Sequence, residues 1–512
     1  MSDAASLVIG LDLGTTSTKA VAFAVDGTQV ATASHGYSLD TPHPGYAVQD
    51  PEAILAAALA ATADVVAAVG AERIAGVSFS SAMHSLLALD ALYRPLTPVV
   101  TWGDTRADVQ AERLRARVGG LELHRRTGTP LHPMSPLPKL LWYREVEPKL
   151  HESAAFWVGI KDWVLVRMCG ALVIDHSLAS ATGLMNIHTL DWDDEALSIA
   201  GVSPEQLPEL VRTRHILPNL TEEAALATGL PVDTRVVVGA GDGPLANLGI
   251  GAVRPGVAAC SIGTSAALRV AVDKPAVDPQ GGVFCYALTE DRWVIGGAIN
   301  NGGATLEWVR HLLAPELGDG DETELLELAA RAQPGSGGLL MLPYLLSERA
   351  PHWSALPKGA FIGLTRAHSR EHLIRAALEG VCLQLALVLQ SMRDAGLEIT
   401  QVRATGGATS NPLWREVLAS ALDMRVDFAE GQEGSSFGAA LLGMDALGLI
   451  ASIDVAADLI PIQDSMSPNP VAAAVYRRMQ PLFAELYDQL VPTFSNLRRL
   501  AQLLPIALVE PD

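Results

Sequence analysis

Two short apolar runs, each doubling back through a Gly-Thr pair, stand in opposite halves of this 512-residue chain. In the first half, residues 6–12 lead into Gly14-Thr15-Thr16 and resume as residues 19–25. In the second, residues 258–262 lead into Gly263-Thr264-Ser265 and resume as Ala266–Val272. A run that returns on itself at a glycine predicts two antiparallel strands. Its recurrence predicts an internal repeat, two halves that each offer the same hairpin, with the boundary near residue 245. Asp26-Gly27 marks a further hairpin into residues 30–37, so the chain should open as a three-stranded meander. Pro51–Val69 is Ala-rich with Asp50 as a plausible N-cap and predicts a helix. Residues 74–80 and 86–90 read as strands. Residues 236–239 read as a strand ending at Ala240-Gly241-Asp242-Gly243-Pro244. Residues 402–404, Gly406-Gly407 and residues 411–422 read as strand, glycine turn and helix, and residues 471–490 as helix before a frayed Glu510-Pro511-Asp512. Strands interleaved with helices predict an α/β architecture.

Charge narrows the function classes. With 36 Lys and Arg against 57 Asp and Glu, the net charge is −21. A chain this acidic lacks the clustered cations that capture a nucleic-acid backbone, so no nucleic-acid partner is expected. The 49% apolar content is ample for a large core, and with aromatics at 5% that core must be mostly aliphatic. Cys169, Cys260, Cys285 and Cys382 lie far apart with no CxxC pair, as reduced core residues of a cytoplasmic protein do. The longest apolar stretches are interrupted, as residues 54–69 are by Asp64, so no membrane partner is expected. No early Lys or Arg suggests a secretory signal, and the sequon Asn219-Leu220-Thr221 is then chance.

Asp12-Leu13-Gly14-Thr15-Thr16-Ser17-Thr18-Lys19 is the most informative stretch. Gly14 lets backbone approach a ligand closely, and Thr15 and Thr16 add hydroxyl donors to the N–H groups of the turn, a combination that cradles phosphate oxygens. Asp12 at the strand end could hold Mg²⁺, directly or through water, and Lys19 could add positive charge. An ordinary hairpin with a polar turn would look the same. Gly263-Thr264-Ser265 offers a second such turn, and Gly406-Gly407-Ala408-Thr409-Ser410-Asn411 a third glycine-rich approach at a helix start. Three in one chain suit a nucleotide lying in an interdomain cleft. No glycine directly precedes a lysine, so any phosphate site is not of the P-loop type. Asp242, flanked by Gly241 and Gly243 at a strand end, suits a general base for a hydroxyl proton, although an aspartate capping a helix has the same appearance. Met83 and His84, with Trp102, Asp104 and Arg106, follow apolar strands and supply the hydrogen-bonding groups and apolar wall that polyol recognition needs. A single histidine after a strand is more often structural.

Three further patterns are set aside. His368-Ser369-Arg370-Glu371-His372 spells the inverted zinc motif but sits at a polar helix start. Gly434-Ser435-Ser436-Phe437-Gly438 spells GxSxG, yet no histidine follows position 372 to complete a hydrolase in the required order. Residues 383–389 read as helical core.

Taken together, Asp12–Lys19, Asp242, Gly263–Ser265, Gly406–Asn411 and Gly359–Glu379 resemble the FGGY carbohydrate kinases. Gly359-Ala360-Phe361-Ile362-Gly363-Leu364, His372-Leu373 and Ala376-Ala377-Leu378-Glu379 follow the family's second signature. Residues 134–145, with Lys139 and Trp142, approximate the first, with Tyr143 in place of an aliphatic residue. The resemblance implies α/β architecture with two RNase H-like domains of the actin/hexokinase-type ATPase fold flanking a cleft. It implies ATP with Mg²⁺, and γ-phosphoryl transfer to a sugar hydroxyl. The domains would be residues 1–245 and 246–490, with a tail at 491–512. Asp12 is similar to the metal-site aspartate, and Gly14, Thr15, Thr16, Gly263 and Thr264 to the phosphate-contacting turns. Gly303, Gly407 and Asn411 are similar to nucleotide-site positions, Asp242 to the catalytic base, and His84 falls in the sugar-contact segment. That segment, residues 80–86, together with residues 101–106 and 242–249, resembles gluconate kinases more than xylulose kinases. The first expectation is therefore conversion of D-gluconate to 6-phosphogluconate. Gluconate is an anion and calls for a cation in its pocket, with Arg106, Lys139, Lys161 and Arg349 as the candidates. A D-xylulose kinase and a non-catalytic actin-like nucleotide-dependent protein remain the alternatives, and homodimer formation is left open.

Overall fold

The structure is a computed structural model that describes residues 6–318, 322–429 and 434–503. The opening meander forms as β1 (Leu7–Leu13), β2 (Ser17–Ala24) and β3 (Gln29–Gly36), each antiparallel to the next. On its other edge β1 pairs in parallel with β4 (Ile74–Ser81). The sheet is completed by β5 (Ile216–Leu217) and β6 (Val236–Gly241), in the order β5-β6-β4-β1-β2-β3. The second half builds its sheet from β7 (Val257–Ile262), β8 (Ala266–Val272), β9 (Phe284–Thr289), β10 (Arg292–Ile299), β11 (Gln401–Thr405), β12 (Val426–Ala429) and β13 (Ile462–Met466). Their order is β9-β10-β8-β7-β11-β12-β13. Five strands repeat between the two, β3-β2-β1-β4-β6 and β10-β8-β7-β11-β12. In each set three are antiparallel and the last two join in parallel. The internal repeat is therefore a repeat of sheet topology, and the Gly-Thr turn joins the first two strands of each copy.

β1 is buried along nearly its whole length because helices cover both faces of its sheet. One is α1 (Pro51–Val69), whose Asp50 side chain accepts the Glu52 N–H at 3.0 Å as its N-cap. The other is α7 (Gly434–Ala446), introduced by the second half of the sequence yet seated on the first sheet. α7 in turn crosses α3 (Asp242–Gly249). Glycine permits that crossing: a Cβ on Gly249 would lie 1.7 Å from the Gly434 carbonyl oxygen, and one on Gly438 would lie 2.1 Å from that of Leu245. Between them in the chain come α2 (Pro136–Val146), α4 (Gly303–Leu313), α5 (Arg370–Asp394) and α6 (Pro412–Leu422). α1 and α5 are long and apolar enough by composition to cross a bilayer, but 89% of the α5 stretch is buried inside the fold. The run 383–389 lies within it and is core.

Residue 245 falls inside α3, so the passage between the halves is a helix rather than a linker. The last helix, α8 (Pro470–Leu503), runs past the expected tail boundary at 491. Phe494 is buried, and Arg498 reaches the first half, donating to Asp108 at 2.7 Å and Glu112 at 2.8 Å. Those contacts hold residues 491–500 to the body. Glu510, Pro511 and Asp512 lie outside the described residues.

Candidate active site

Three adjoining cavities line up between the two sheets. The inner one, of about 310 Å³, is bounded by Thr15, Met83, His84, Trp102, Asp242 and residues of β8, β9 and β10. A middle one of about 590 Å³ shares Ala246, Ser261 and Arg269 with it. An outer one of about 790 Å³ shares Gly407 and Ser410 with the middle. Gly263, Thr264, Gly303, Gly407 and Asn411 all line the outer cavity. Gly303 lies on the second turn because its N–H donates to the Gly263 carbonyl at 2.8 Å. Gly406 has φ +106°, and a Cβ there would meet the Ile262 carbonyl oxygen at 2.1 Å, so only glycine lets this turn close on β7. Asn411 caps α6, accepting the Leu413 N–H at 2.9 Å.

The first turn is held open by its neighbours. The Tyr37 hydroxyl donates to the Gly14 carbonyl at 2.6 Å, and the Trp102 indole N–H to Thr15 Oγ1 at 2.9 Å. Thr16 is exposed beside it. Asp12 stands opposite Lys19 in the β1–β2 register, and Ser435 Oγ on the first turn of α7 donates to Asp12 Oδ2 at 2.7 Å. Lys19 lines none of the three cavities.

Asp242 is the first residue of α3, with its Oδ1 accepting the Gly243 N–H at 2.7 Å. Burial, and then the charge of Asp12, push its carboxyl up to about 6, against the opposing pull of Arg269. A carboxyl so placed is mostly ionised near neutrality yet more basic than a surface carboxylate. Two carboxylates that raise each other's cost would be relieved by a hard divalent cation between them and phosphate oxygens. Among the described residues no group of three acidic, His or Cys side chains could hold a metal. Asp12 would therefore share the ion with water and phosphate oxygens, as Mg²⁺ prefers.

His84 adopts φ +68°, a left-handed conformation that is rare outside glycine and persists where the surrounding structure over-determines the backbone. Its Nδ1 pairs with the Ala181 carbonyl at 2.8 Å, which assigns the proton to Nδ1 and leaves Nε2 as an acceptor. Burial lowers its pKa to about 3, so it stays neutral. Lys139 on α2 donates to the carbonyls of His84 at 2.8 Å and Thr101 at 2.7 Å, tying the two ligand segments together. Burial brings its pKa down to about 7.

Asp104 and Arg106 do not reach the inner cavity. Arg106 is bonded two-fold to Asp104, at 2.9 and 2.7 Å, and lies 3.8 Å over the Tyr46 ring; Asp104 also accepts the Ala47 N–H. Each satisfies the other behind the cavity wall. Lys161 is spent on buried Asp175 and the Val238 carbonyl. Of the four candidate cations, Arg349 alone lines the inner cavity.

Sequence reasoning missed Arg269, Tyr286 and Ser435. Arg269 lines both the inner and middle cavities, beside Asp242. Ser435 fills the first variable position of the GxSxG string set aside above and serves Asp12, and the string's last glycine lets α7 cross α3. The HxxEH string is a helix start: His372 and Ser369 cap α5, and His368 faces the Gly337 carbonyl. Glu379 of the second signature is buried and accepts from Gly335, Ser336, Arg375 and Tyr476, a structural knot away from the cavities.

The N-terminal domain profile of the FGGY family of carbohydrate kinases matches residues 7–249, and the C-terminal domain profile matches residues 258–447. The gluconokinase of Bacillus subtilis (strain 168) is 42% identical over 489 residues, covering 94% of this chain and 95% of that protein. The xylulose kinase of Bacillus subtilis (strain 168) is 31% identical over 486 residues, covering 94% and 96%. The crystal structure of gluconate kinase from Lactobacillus acidophilus aligns with a TM-score of 0.92 at 33% identity, covering 96% of this chain and 100% of that one.

Proposed function

The chain belongs to the FGGY family of carbohydrate kinases, and from that premise we propose that it phosphorylates D-gluconate at O6 with ATP, in the cytoplasm. The observation that carries the reading is that Asp242 lines the inner cavity together with Thr15 of the first Gly-Thr turn and Ser265 of the second. The sugar lies among His84, Met83 and Trp102, and its reacting hydroxyl gives its proton to Asp242 as its oxygen attacks the γ-phosphorus. The bond from that phosphorus to the β–γ bridging oxygen breaks, and ADP leaves. His84 Nε2 accepts from a sugar hydroxyl, and the Trp102 indole covers a C–H face. Arg269 faces the carboxylate of Asp242 and the incoming phosphoryl, where charge develops. Gly14, Thr15 and Thr16 on one side and Gly263 and Thr264 on the other receive phosphate oxygens. Gly303, Gly407 and Asn411 line the space for the nucleotide. Asp12 would hold Mg²⁺, which supplies counter-charge to the phosphates when bound. Residues 1–245 supply Asp12 and one wall of the sugar cavity, and residues 246–490 supply the nucleotide space and the opposite wall of the sugar cavity.

Gluconate is preferred to xylulose because identity to the gluconokinase relative exceeds identity to the xylulose kinase, 42% against 31% over comparable lengths. A coupled ADP-release assay against D-gluconate, D-xylulose, D-ribulose and glycerol tests this. Saturable turnover of D-xylulose with none on D-gluconate would replace it with the pentulose reading.

A further inference from the structure

The inner cavity holds two guanidinium groups with different surroundings. Arg269 lies beside α3: its Nε is 3.9 Å from where a Cβ on Gly243 would sit, and Asp242 feels it more than it feels Arg349. Arg349 stands with the aromatic residues instead, its guanidinium carbon 5.2 Å from the centre of the Trp102 ring. Its Nη2 reaches the Ile299 carbonyl at a long 3.3 Å, and its buried Nε has no hydrogen-bond partner. The neighbouring Glu348 lends it charge but accepts no hydrogen bond from its guanidinium. That carboxylate is taken by the backbone N–H groups of Asn300 and Arg349 and the Asn301 side chain, each at 2.8 Å. In the same cavity the Tyr286 hydroxyl is buried and also lacks a partner. The Tyr286 ring stacks on Phe284 at 4.3 Å and 6°, which fixes where the hydroxyl points.

A buried donor left unpaired costs stability unless a ligand completes it. Here two such donors, one on a cation, belong to side chains that line the same cavity as Asp242. We propose that Arg349 and the Tyr286 hydroxyl form the carboxylate receptor of this cavity, and that this receptor selects a sugar acid over a neutral sugar or polyol. The inference rests on the sugar-acid reading above and assigns the end of the substrate remote from transfer. The free Nε–H edge of the guanidinium meets the carboxylate side-on, and the phenol donates to it from the adjacent strand. A neutral alcohol in that place leaves the guanidinium edge without a charged hydrogen-bond acceptor, and such unpaired groups discriminate strongly.

The test compares wild type, Arg349→Gln and Tyr286→Phe on D-gluconate and on D-glucitol, the same carbon chain with an alcohol in place of the acid. Where D-glucitol turns over too slowly to read, its inhibition constant against D-gluconate serves. Losing the charged contact should cut the gluconate-over-glucitol ratio about 100-fold in Arg349→Gln, mainly through KM for gluconate. Losing the phenol oxygen should cost about 10-fold, again in KM. Tyr286→Phe removes an oxygen with no internal partner, so it keeps the fold and reads the receptor even if Arg349→Gln does not. KM for gluconate within threefold of wild type in either soluble variant, or equal losses on acid and alcohol, overturns the receptor. Wild-type enzyme without turnover on gluconate overturns the sugar-acid reading itself, a separate result.

Discussion

Replacing Asp242 by Asn should abolish phosphoryl transfer and at the same time make the ligand-free protein more stable at neutral pH. The carboxyl is raised from 3.8 to about 6 by burial and by Asp12. That shift is roughly 2 units, worth at most about 3 kcal/mol at 1.36 kcal/mol per unit. One edge of Asp242 faces the open cleft, and solvent screening brings the figure to about 1–2 kcal/mol. The sign follows from linkage. Above pH 6 the carboxyl is ionised in both folded and unfolded chains, and the folded chain bears the full cost of an unfavourable charge. Between pH 6 and pH 4 the folded form takes up a proton before the unfolded one, and the cost fades. Below pH 4 both are neutral and it is gone. Asn keeps the acceptor for the Gly243 N–H and carries no charge, so the variant gains where wild type pays. At about 2 cal/mol/K of unfolding entropy per residue, the gain corresponds to a rise of ~1–4 °C in Tm, depending on whether one half or all 512 residues melt together. Scanning calorimetry in EDTA without nucleotide, at pH 8, 6 and 4.5, measures it. A variant that melts below wild type at pH 8, or a difference independent of pH, would refute the electrostatic account of Asp242. Retained turnover would remove it as the base.

Removing the guanidinium of Arg269 with Met takes away a charge that lowers the Asp242 pKa. The acid limb of kcat/KM should move to higher pH and kcat fall about 100-fold or more; an unmoved limb contradicts their coupling. Gly438→Ala places a methyl group against the Leu245 carbonyl and should prise α7 from α3, costing about 1–3 kcal/mol and displacing Ser435 from Asp12. Calorimetry and turnover together check this, and a variant indistinguishable from wild type in both would show that the crossing tolerates a methyl group. With a net charge of −21, the surface field repels anionic ATP and gluconate, so capture rests on local donors. Raising NaCl from 50 to 500 mM should therefore change kcat/KM by less than about 3-fold, and a steep loss would mean long-range steering.

Much of the backbone was legible because local chemistry dictates it. A glycine whose Cβ would strike the next strand, a Gly-Thr turn between two apolar runs, and Asp50 before an Ala-rich segment each state their conformation without help from afar. The segments that meet at the cleft were readable for the same reason. The limit came with charge. Arg106 and Arg349 are alike as letters, and nothing in their spacing says that one is matched by Asp104 while the other keeps a free donor toward a cavity. Lys161 was a candidate until Asp175 and the Val238 carbonyl took it. Arg269 reads as an ordinary strand residue, and Ser435 belonged to a motif set aside for want of a histidine.

The sequence by itself determined the repeat, the turns that close on glycine and the strand end that carries Asp242, since each depends on residues a few positions apart. Only the tertiary structure decided which side chains share the cavity. It laid a helix of the second half on the sheet of the first, and it turned Arg269, Tyr286 and Arg349 from β8, β9 and the segment after Glu348 toward one point. Burial and the cancellation of charge are properties of neighbours in space, and those neighbours stand up to hundreds of residues apart along the chain, as Asp12 and Ser435 do.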